Sequence, residues 1–218
     1  MIRKSVLTLA LLIGLILLSL PVGADTTTSM SVSNQTVSEG ETFEVDIFLV
    51  LDTDSRGAQF DLTFDHNILT CNSVIEGGLF SLDGTQPTYW NEPIIDNRGN
   101  GQILGAACVI ISPSMPVSGS GVLATINFTA KELGTSELVL SNVVVGDVWA
   151  NSVEVIVTNG SVIVELEGDV NSDGRVNILD MILVGIHWEE TGSLPEDLNN
   201  DGVVNILDSI IIGANWTG

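Results

Sequence analysis

The 218-residue sequence is poor in basic residues, histidine and cysteine. It has six lysine and arginine residues against 28 aspartate and glutamate residues, a formal net charge of −22, and two cysteines. A chain this acidic repels phosphate backbones, which excludes nucleic acids as partners and favours divalent cations. Its two histidines, His66 and His187, lie in different regions, and no Ser-His-Asp or Cys-His grouping is present. The sequence therefore predicts a protein that is not an enzyme.

The two cysteines, Cys71 and Cys108, limit the possible thiol chemistry. They are too far apart for a CxxC motif, and two thiols are too few for a multi-thiolate zinc site. In an exported protein such a pair forms one disulfide or remains as two buried thiols, and the sequence leaves both alternatives open.

One long apolar run is present, at the start of the chain. Arg3 and Lys4 precede an almost wholly apolar segment from Val6 to Leu20, and small residues follow. This order predicts a secretory signal peptide over residues 1–24, cleaved before Asp25. An uncleaved membrane anchor is the alternative, although the run is short for a span of about 20 residues. Cleavage leaves four basic and 28 acidic residues, 4 − 28 = −24, and predicts a secreted or cell-surface-associated protein.

Residues 25–166 have the pattern of an antiparallel β-sandwich. Segments such as AQFDLTFD alternate between apolar and polar residues, and turn-forming residues separate about nine such segments. We therefore predict a mainly β fold, a jelly-roll sandwich of about nine antiparallel strands, with irregular structure from Gly78 to Asn100. In FEVDIFLV, Phe48 and Val50 extend the apolar pattern to the second side, which predicts a strand end buried on both faces.

The tail, residues 167–218, contains an internal repeat. Asp169–Trp188 and Asp197–Trp216 are identical at 12 of 20 positions, with a period of 28 residues. Each copy begins with a D-x-N-x-D-G loop and continues into an apolar run that predicts a helix. No helical pattern precedes either loop. Each unit is therefore predicted to be half an EF-hand, and the tail a small α module of two loop-helix repeats.

Each loop has the ligand spacing of an EF-hand calcium site. Ca²⁺ binds six to eight oxygens, glycine at position 6 permits the sharp turn, and position 7 offers its backbone carbonyl. Position 12 is Asp rather than the usual Glu. The predicted ligands of two Ca²⁺ ions are Asp169, Asn171, Asp173, Arg175 (carbonyl), Asn177 and Asp180, and Asp197, Asn199, Asp201, Val203 (carbonyl), Asn205 and Asp208.

An Asx-rich turn that caps a helix is the alternative to a calcium loop. Without metal, the three carboxylates of one loop would repel one another within a few ångströms. The sequence therefore predicts that folding of the tail is coupled to Ca²⁺ binding.

The tail resembles a dockerin domain, a duplicated loop-helix calcium module, through GDVNSDG and its repeat. The preceding region resembles a cohesin domain, the receptor module for dockerins, through AQFDLTFDHNILT, VLATINFTAK and NSVEVIVTNGSVIVE. The resemblance implies a cohesin-like domain over 25–166 and a dockerin-like domain over 167–218. It also implies extracellular, calcium-dependent assembly with dockerin-bearing and cohesin-bearing proteins, often in polysaccharide-degrading complexes.

The dockerin resemblance implies a partner-binding role for loop positions 10 and 11, which are Ile178, Leu179, Ile206 and Leu207. Many enzyme-borne dockerins carry hydroxyl residues there, so these apolar pairs suggest a more hydrophobic interface. Internal packing between the two helices is the alternative. A second apolar set is expected in the module core: Ile182, Leu183, Trp188, Ile210, Ile211 and Trp216.

The cohesin resemblance implies that the outward row Gln59, Asp61 and Thr63 lies on the dockerin-contacting strand. A solvated polar face is the alternative for this row. We therefore predict a secreted, non-catalytic adaptor. A carbohydrate-binding sandwich tethered by its dockerin is the alternative function, but such modules usually present a planar row of exposed aromatics. Here the β region offers only Tyr89, Trp90 and Trp149 beyond its phenylalanines.

Overall fold

The computed structural model describes residues 27–218, so the predicted signal peptide at 1–24 lies outside the described residues. The described chain has twelve strands and three helices. In chain order they are β1 (Ser29–Val32), β2 (Gln35–Ser38), β3 (Thr42–Thr63), β4 (Leu69–Glu76), α1 (Gly78–Ser81), β5 (Thr88–Asn91), β6 (Ile94–Asp96), β7 (Gln102–Ile110), β8 (Val117–Ala130), β9 (Gly134–Asp147), β10 (Ser152–Val153), β11 (Ile156–Thr158), β12 (Gly160–Glu165), α2 (Ile178–Ile186) and α3 (Ile206–Ala214).

The long strand β3 belongs to both layers of a sandwich. Its first half pairs with β1 and β8, and its second half pairs with β9 from Ser55 and with β7 from Gly57. The register with β8 shifts between Leu51 and Ser55, where β3 passes from one layer to the other. One layer has the order β4-β8-β3-β1-β11, and the other runs from β5 and β6 through β7, β3, β9 and β12 to β2.

The core lies between these layers and follows the predicted alternation of β3. Part of the core is aromatic: the Phe128 ring lies 6.0 Å from the Phe43 ring, stacked, and 5.2 Å from the Phe64 ring, edge to face, between ring centroids. The inward residues of β3 are buried, namely Val45, Ile47, Leu49, Ala58, Phe60 and Leu62. The prediction that the end of FEVDIFLV is buried on both faces is wrong. Phe48 remains 40% exposed, because the core covers only one face of its layer.

The strand count and the pairing both differ from the prediction. There are twelve strands rather than about nine, and two pairs, β1 with β11 and β2 with β12, are parallel. The first and last strands are each split where the chain crosses between layers. At these breaks Asn34 Oδ1 accepts the Ser161 N–H at 2.9 Å, and Asn159 Oδ1 accepts the Leu140 N–H at 3.0 Å. The turn-rich segment predicted to be irregular forms α1, β5 and β6.

Both cysteines are free thiols buried in the sandwich, which decides between the two alternatives for them. Burial raises the pKa of the Cys71 thiol to about 12. Burial and the neighbouring Glu76 carboxyl, whose Oε1 lies 3.3 Å from Cys108 Sγ, also raise the pKa of Cys108. Neither thiol forms a reactive thiolate at neutral pH.

The tail follows β12 directly. Its small core consists of Val176, Val184, Val204 and Ile212, and Leu166, the residue after β12, packs against this core. No flexible linker therefore separates the sandwich from the tail module, which we define as residues 167–218. No helix in residues 27–218 has the length and hydrophobicity needed to span a membrane.

Candidate functional site

The two loops of the tail module fold in the same way. In the first, Asp169 accepts the N–H groups of Asp173 at 3.1 Å and Gly174 at 2.8 Å. In the second, Asp197 accepts those of Asp201 and Gly202 at the same two distances. The glycine at position 6 has φ of +83° or +90°, a conformation that disfavours a Cβ. The sequence repeat is therefore also a repeat of backbone geometry.

The aspartate at position 12 closes each loop from inside the fold. The Asp180 carboxylate accepts the N–H groups of Asn171 at 3.1 Å and Asn177 at 2.8 Å, and Asp208 binds Asn199 and Asn205 equivalently. Both carboxylates are fully buried. Each also completes a capping box at the start of α2 or α3. Position 12 thus joins each loop to the helix that follows it.

The asparagines at position 9 serve first as helix caps. Asn177 Oδ1 accepts the Leu179 N–H, and Asn205 Oδ1 accepts the Leu207 N–H, both at 2.8 Å. In the second loop, Asn205 Nδ2 also donates to the Val203 carbonyl at 2.8 Å. Asn177 and Asn205 can contact a cation through a water molecule while each continues to cap its helix.

The donor set of each loop suits a hard cation. Three carboxylates, two amide oxygens and one backbone carbonyl offer oxygen alone, which is the preference of Ca²⁺. In residues 27–218 no Lys or Arg pairs with a loop carboxylate, since the ion pairs there are Asp96–Arg98 and Glu196–His187. Buried carboxylates without a counter-charge, such as Asp180 and Asp208, are costly.

Carboxylates alone do not form the site. Across the described residues, no three His, Cys, Asp or Glu side chains are grouped so that they could hold a metal ion. The amide and backbone oxygens are therefore needed to complete a coordination sphere, and the twelve calcium ligands stay a prediction.

An approximate twofold relation connects the two repeats. The Glu189 N–H donates to the Val204 carbonyl at 2.9 Å, and 28 residues later the Thr217 N–H donates to the Val176 carbonyl at 2.9 Å. The third residue after each helix thus pairs with the loop of the other repeat. This crossing brings the two loop-helix units side by side.

The start of each helix presents apolar side chains to solvent. Ile178, Leu179, Ile206 and Leu207 are all about half exposed, so they do not form the packing between α2 and α3. The expectation that the second apolar set lies in the core is wrong: Ile182, Ile210, Trp188 and Trp216 are also exposed, and Leu183 and Ile211 are half-buried outside the core cluster. The reason is size, because nine-residue helices with a four-residue core cover only one narrow stripe each. We call the exposed side chains of α2 and α3 the apolar helix face; they include Ile178, Leu179, Ile182, Ile206, Leu207 and Ile210.

The predicted row on β3 faces outward, as expected, but its members differ in solvent exposure. Gln59 is exposed, whereas Asp61 and Thr63 are half-buried. The Asp61 carboxylate accepts the Gly105 N–H at 2.6 Å and also the Asn142 side-chain amide. It is therefore engaged in holding β7, β3 and β9 together.

A depression lies beside Gln59 on the same outer face. Its volume is about 220 Å³, and its floor includes Gly57 and Gly146, which are paired across β3 and β9. Val109 and Val144, both partly exposed, form apolar walls. We call this feature the sheet depression. The sequence pattern did not identify it, because register brings together residues from three strands that are distant in the chain.

The two glycines of the sheet depression have different constraints. A Cβ at Gly57 would lie 2.7 Å from the Cys108 carbonyl oxygen, so close strand approach requires glycine there. A Cβ at Gly146 would meet nothing nearer than 3.9 Å. Beside Gly146, the Asp147 carboxylate accepts the Asn151 amide and the backbone N–H groups of Trp149 and Asn151. These bonds hold the Asp147 pKa below its ordinary value.

The aromatics of the β region do not form a planar row. Tyr89 is exposed opposite Val109, but its neighbour Trp90 packs against the core. Trp149 is 81% exposed on the turn after β9. The structure gives no specific support to the carbohydrate-binding alternative.

Comparison with known proteins identifies the sandwich. The family model described as "Cohesin domain" matches residues 28–164. No curated protein matches the chain. The family match ends where the tail module begins.

Several solved structures share the fold of the sandwich. A non-cellulosomal cohesin from the hyperthermophilic archaeon Archaeoglobus fulgidus is 19% identical, with a TM-score of 0.52, over 67% of this chain and 96% of that one. The sixth cohesin of scaffoldin B from Acetivibrio cellulolyticus, solved with a Cel5 dockerin mutant, is 22% identical, with a TM-score of 0.52, over 64% and 100%. The Clostridium thermocellum Coh-OlpC–Doc435 complex matches at 15% identity, with a TM-score of 0.54, over 66% and 96%.

The family match covers well over half of the 218 residues, and it coincides with a β-sandwich whose fold the solved cohesins share. The chain therefore belongs to the cohesin family.

Proposed function

We propose that this protein is a secreted, non-catalytic adaptor that binds a dockerin through its sandwich and a cohesin through its calcium-loaded tail module. Membership of the cohesin family is the observation that carries the proposal. Similar cohesins have been solved together with dockerins, including the scaffoldin B cohesin of Acetivibrio cellulolyticus and the Coh-OlpC cohesin of Clostridium thermocellum. We also propose a setting in polysaccharide-degrading assemblies.

The outer face of β7, β3 and β9 is the proposed dockerin-binding surface. It contains Gln59 and the sheet depression, whose walls are exposed apolar side chains. Apolar side chains that enter a concave site supply most of the affinity of a protein interface. Asp61 supports this surface by bonding to both neighbouring strands.

The tail module is the proposed cohesin-binding element. Its support is the 28-residue repeat, the identical loop geometry and the apolar helix face. The predicted loop ligands, from Asp169 to Asp180 and from Asp197 to Asp208, would hold one Ca²⁺ each. Bound calcium would supply the positive charge that the buried Asp180 and Asp208 lack.

A binding titration with the full chain tests this function. The chain is immobilised and exposed to a dockerin-bearing protein, a cohesin-bearing protein and crystalline cellulose, each with calcium and with EDTA. We expect both proteins to bind and cellulose not to bind. EDTA should abolish cohesin binding by the tail module of this chain. Retention on cellulose without any protein partner would contradict the adaptor function.

A Gly146→Val variant locates the dockerin surface. A Cβ at this position meets no close neighbour, and valine suits a strand, so the sandwich should stay folded while the sheet depression is filled. We expect dockerin affinity to fall at least tenfold. Ile75→Asp is the matched control, because Ile75 is an exposed apolar residue on β4 in the other layer.

A further inference from the structure

We propose that the sheet depression receives the apolar helix face of a second copy of this chain, so that copies assemble head to tail. The inference rests on the proposed function and names the partner for both of its surfaces. It depends on three features of the described residues: the polarity of the two surfaces, the charge at their rims and their positions at opposite ends of the molecule.

Both surfaces lack exposed charge at their centres, although the chain as a whole is strongly acidic. The helices ILDMILVGI and ILDSIIIGA each contain one charged residue, and that residue, Asp180 or Asp208, is buried. The sheet depression is lined by one cation and one anion, Arg56 and Asp147, among neutral residues. In a chain of net charge −22, these surfaces are where two copies can meet with few opposing carboxylates, Asp147 being the one acidic residue that lines the sheet depression.

The rims carry complementary charge. Arg56 is one of four basic residues in the described chain, and its Nη1 donates to the Ser114 carbonyl at 3.1 Å, which holds the side chain beside the sheet depression. Glu189 and Glu190 are exposed directly after α2 and the exposed Trp188. An approaching apolar helix face therefore brings carboxylates towards Arg56.

A single copy cannot satisfy both of its own surfaces. The tail module leaves β12 beside the start of β9, since Val164 pairs with Gly134. The sheet depression lies near the other end of β9, and Val144 is ten residues further on, about 33 Å away at ~3.3 Å per residue. A module of about 50 residues is only ~25 Å across.

Contacts also keep the module at its own end of the sandwich. Leu166 packs into the module core, and a cavity between the two parts is lined by residues of β2 and by both loops, including Ser38, Asp169 and Asn200. The apolar helix face and the sheet depression of one copy therefore contact two different neighbouring copies. A heterologous contact of this kind either closes into a ring or continues as a linear chain, and we propose the linear chain for this protein.

Sedimentation velocity of the full chain in calcium tests the inference. We expect the average mass of the wild-type chain to rise steadily with concentration, beyond that of a dimer. Two blocked variants should remain monomeric when alone. Gly146→Val fills the sheet depression, and a fourfold variant with Ile178→Asp, Leu179→Asp, Ile206→Asp and Leu207→Asp charges the helix face. Aspartate is favourable in the first turn of a helix, so the fourfold variant should fold.

Mixing the two blocked variants provides the decisive measurement. Each retains the surface that the other lacks, so an equimolar mixture should form dimers and nothing larger. Ile75→Asp, the control on the other layer, should assemble like the wild type. If the fourfold variant misfolds, shown by loss of its helical circular dichroism, Gly146→Val alone still tests the sheet depression.

Three results would overturn the inference: a wild-type chain that is monomeric at every concentration, a wild-type mass that stops at a dimer, or a Gly146→Val variant that assembles normally. Binding of a separate dockerin-bearing protein distinguishes this failure from failure of the proposed function. If that protein binds the wild type but not Gly146→Val, the adaptor function stands and the occupant is another protein. A wild-type chain that neither self-assembles nor binds the dockerin-bearing protein would reject the two proposals together.

Discussion

Asp180 and Asp208 show how one side chain serves loop and helix together. Each accepts a backbone N–H from position 3 of its loop and another from the helix cap at position 9. Aspartate is one methylene shorter than the glutamate of ordinary EF-hands, and here its carboxylate lies against the backbone of its own loop. Because both groups are buried without a basic partner, a bound cation would remove an electrostatic cost.

An Asp180→Asn variant tests this double role. The amide keeps the shape of the side chain but removes the charge, so we expect calcium affinity of the first loop to fall at least tenfold. Isothermal titration calorimetry should then show one unchanged site and one weakened site. Asp54→Asn, an exposed substitution outside the loops, is the control and should leave both sites unchanged. Equal affinity in Asp180→Asn and wild type would contradict ligation by this residue.

The buried thiols provide a second prediction for single residues. The pKa of Cys71 is raised from 9.0 to about 12 by burial, so its thiol is neutral in the folded protein below that range. We expect neither Cys71 nor Cys108 to react with iodoacetamide at pH 8 until the chain unfolds, as followed by mass spectrometry. Because the folded pKa is raised, the stabilising effect of the neutral thiol is complete below about pH 9. It is lost as pH rises from 9 towards 12, where the unfolded chain ionises first.

At the scale of elements, α2 and α3 are too short to be stable alone. Isolated helices below about 12–15 residues are marginal in water, and these have nine residues each. Capping boxes satisfy N–H groups at their starts, and Val184 and Ile212 anchor one stripe of each helix in the module core. The remaining apolar side chains stay available to a partner.

The twofold relation predicts that either repeat can engage a cohesin. Replacing Ile178 and Leu179 by alanine should therefore leave affinity within about threefold of wild type, because the module can bind in the opposite orientation. The same change in both repeats, which adds Ile206→Ala and Leu207→Ala, should reduce affinity more than a hundredfold, as measured by surface plasmon resonance. Loss of binding after the first change alone would refute two-way docking.

Gly185 allows the stability of α2 to be tested. This residue lies inside α2, is exposed, and has open space where a Cβ would project. Gly185→Ala should stabilise the calcium-loaded tail module by about 0.5–1 kcal/mol, because alanine has the higher helix propensity. Thermal unfolding of the full chain measures this gain. Gly40→Ala, where φ is +82°, is the contrasting control and should destabilise its turn.

At the scale of the whole molecule, two cores of very different size are joined without a linker. The sandwich core contains more than thirty buried apolar residues, whereas the tail module has four. The smaller core cannot compensate the entropy of ordering its loops unaided, so the tail module is predicted to need calcium.

Calcium removal should therefore unfold the chain in two stages. With EDTA we expect helical circular dichroism from α2 and α3 to be lost at low temperature, while the sandwich retains its thermal transition within a few degrees. Saturating calcium should restore the helical signal. A single cooperative transition that shifts as a whole on adding EDTA would show that the modules fold as one unit.

The sandwich illustrates what alternation can and cannot predict. Alternating residues identified the inner face of β3 correctly, because side chains on a strand point to opposite sides whatever their partners are. They did not identify the parallel closing pairs, the split first and last strands or the sheet depression. Those features depend on which strands become neighbours and in what register, and register is set by packing across the whole sheet.

The sequence by itself determined the tail loops, the loop-helix order of each repeat and the inward face of the strands, since these depend on local spacing, glycine conformation and side-chain alternation. Only the tertiary structure decided that Ile182, Ile210 and both tail tryptophans are exposed, that Cys71 and Cys108 are free, and that Gly57, Gly146, Val109 and Val144 share one surface. The physical reason is that burial and proximity are properties of the packed molecule. A short helix covers only the stripe its partner reaches, and strands remote in sequence become neighbours only when the sheet closes.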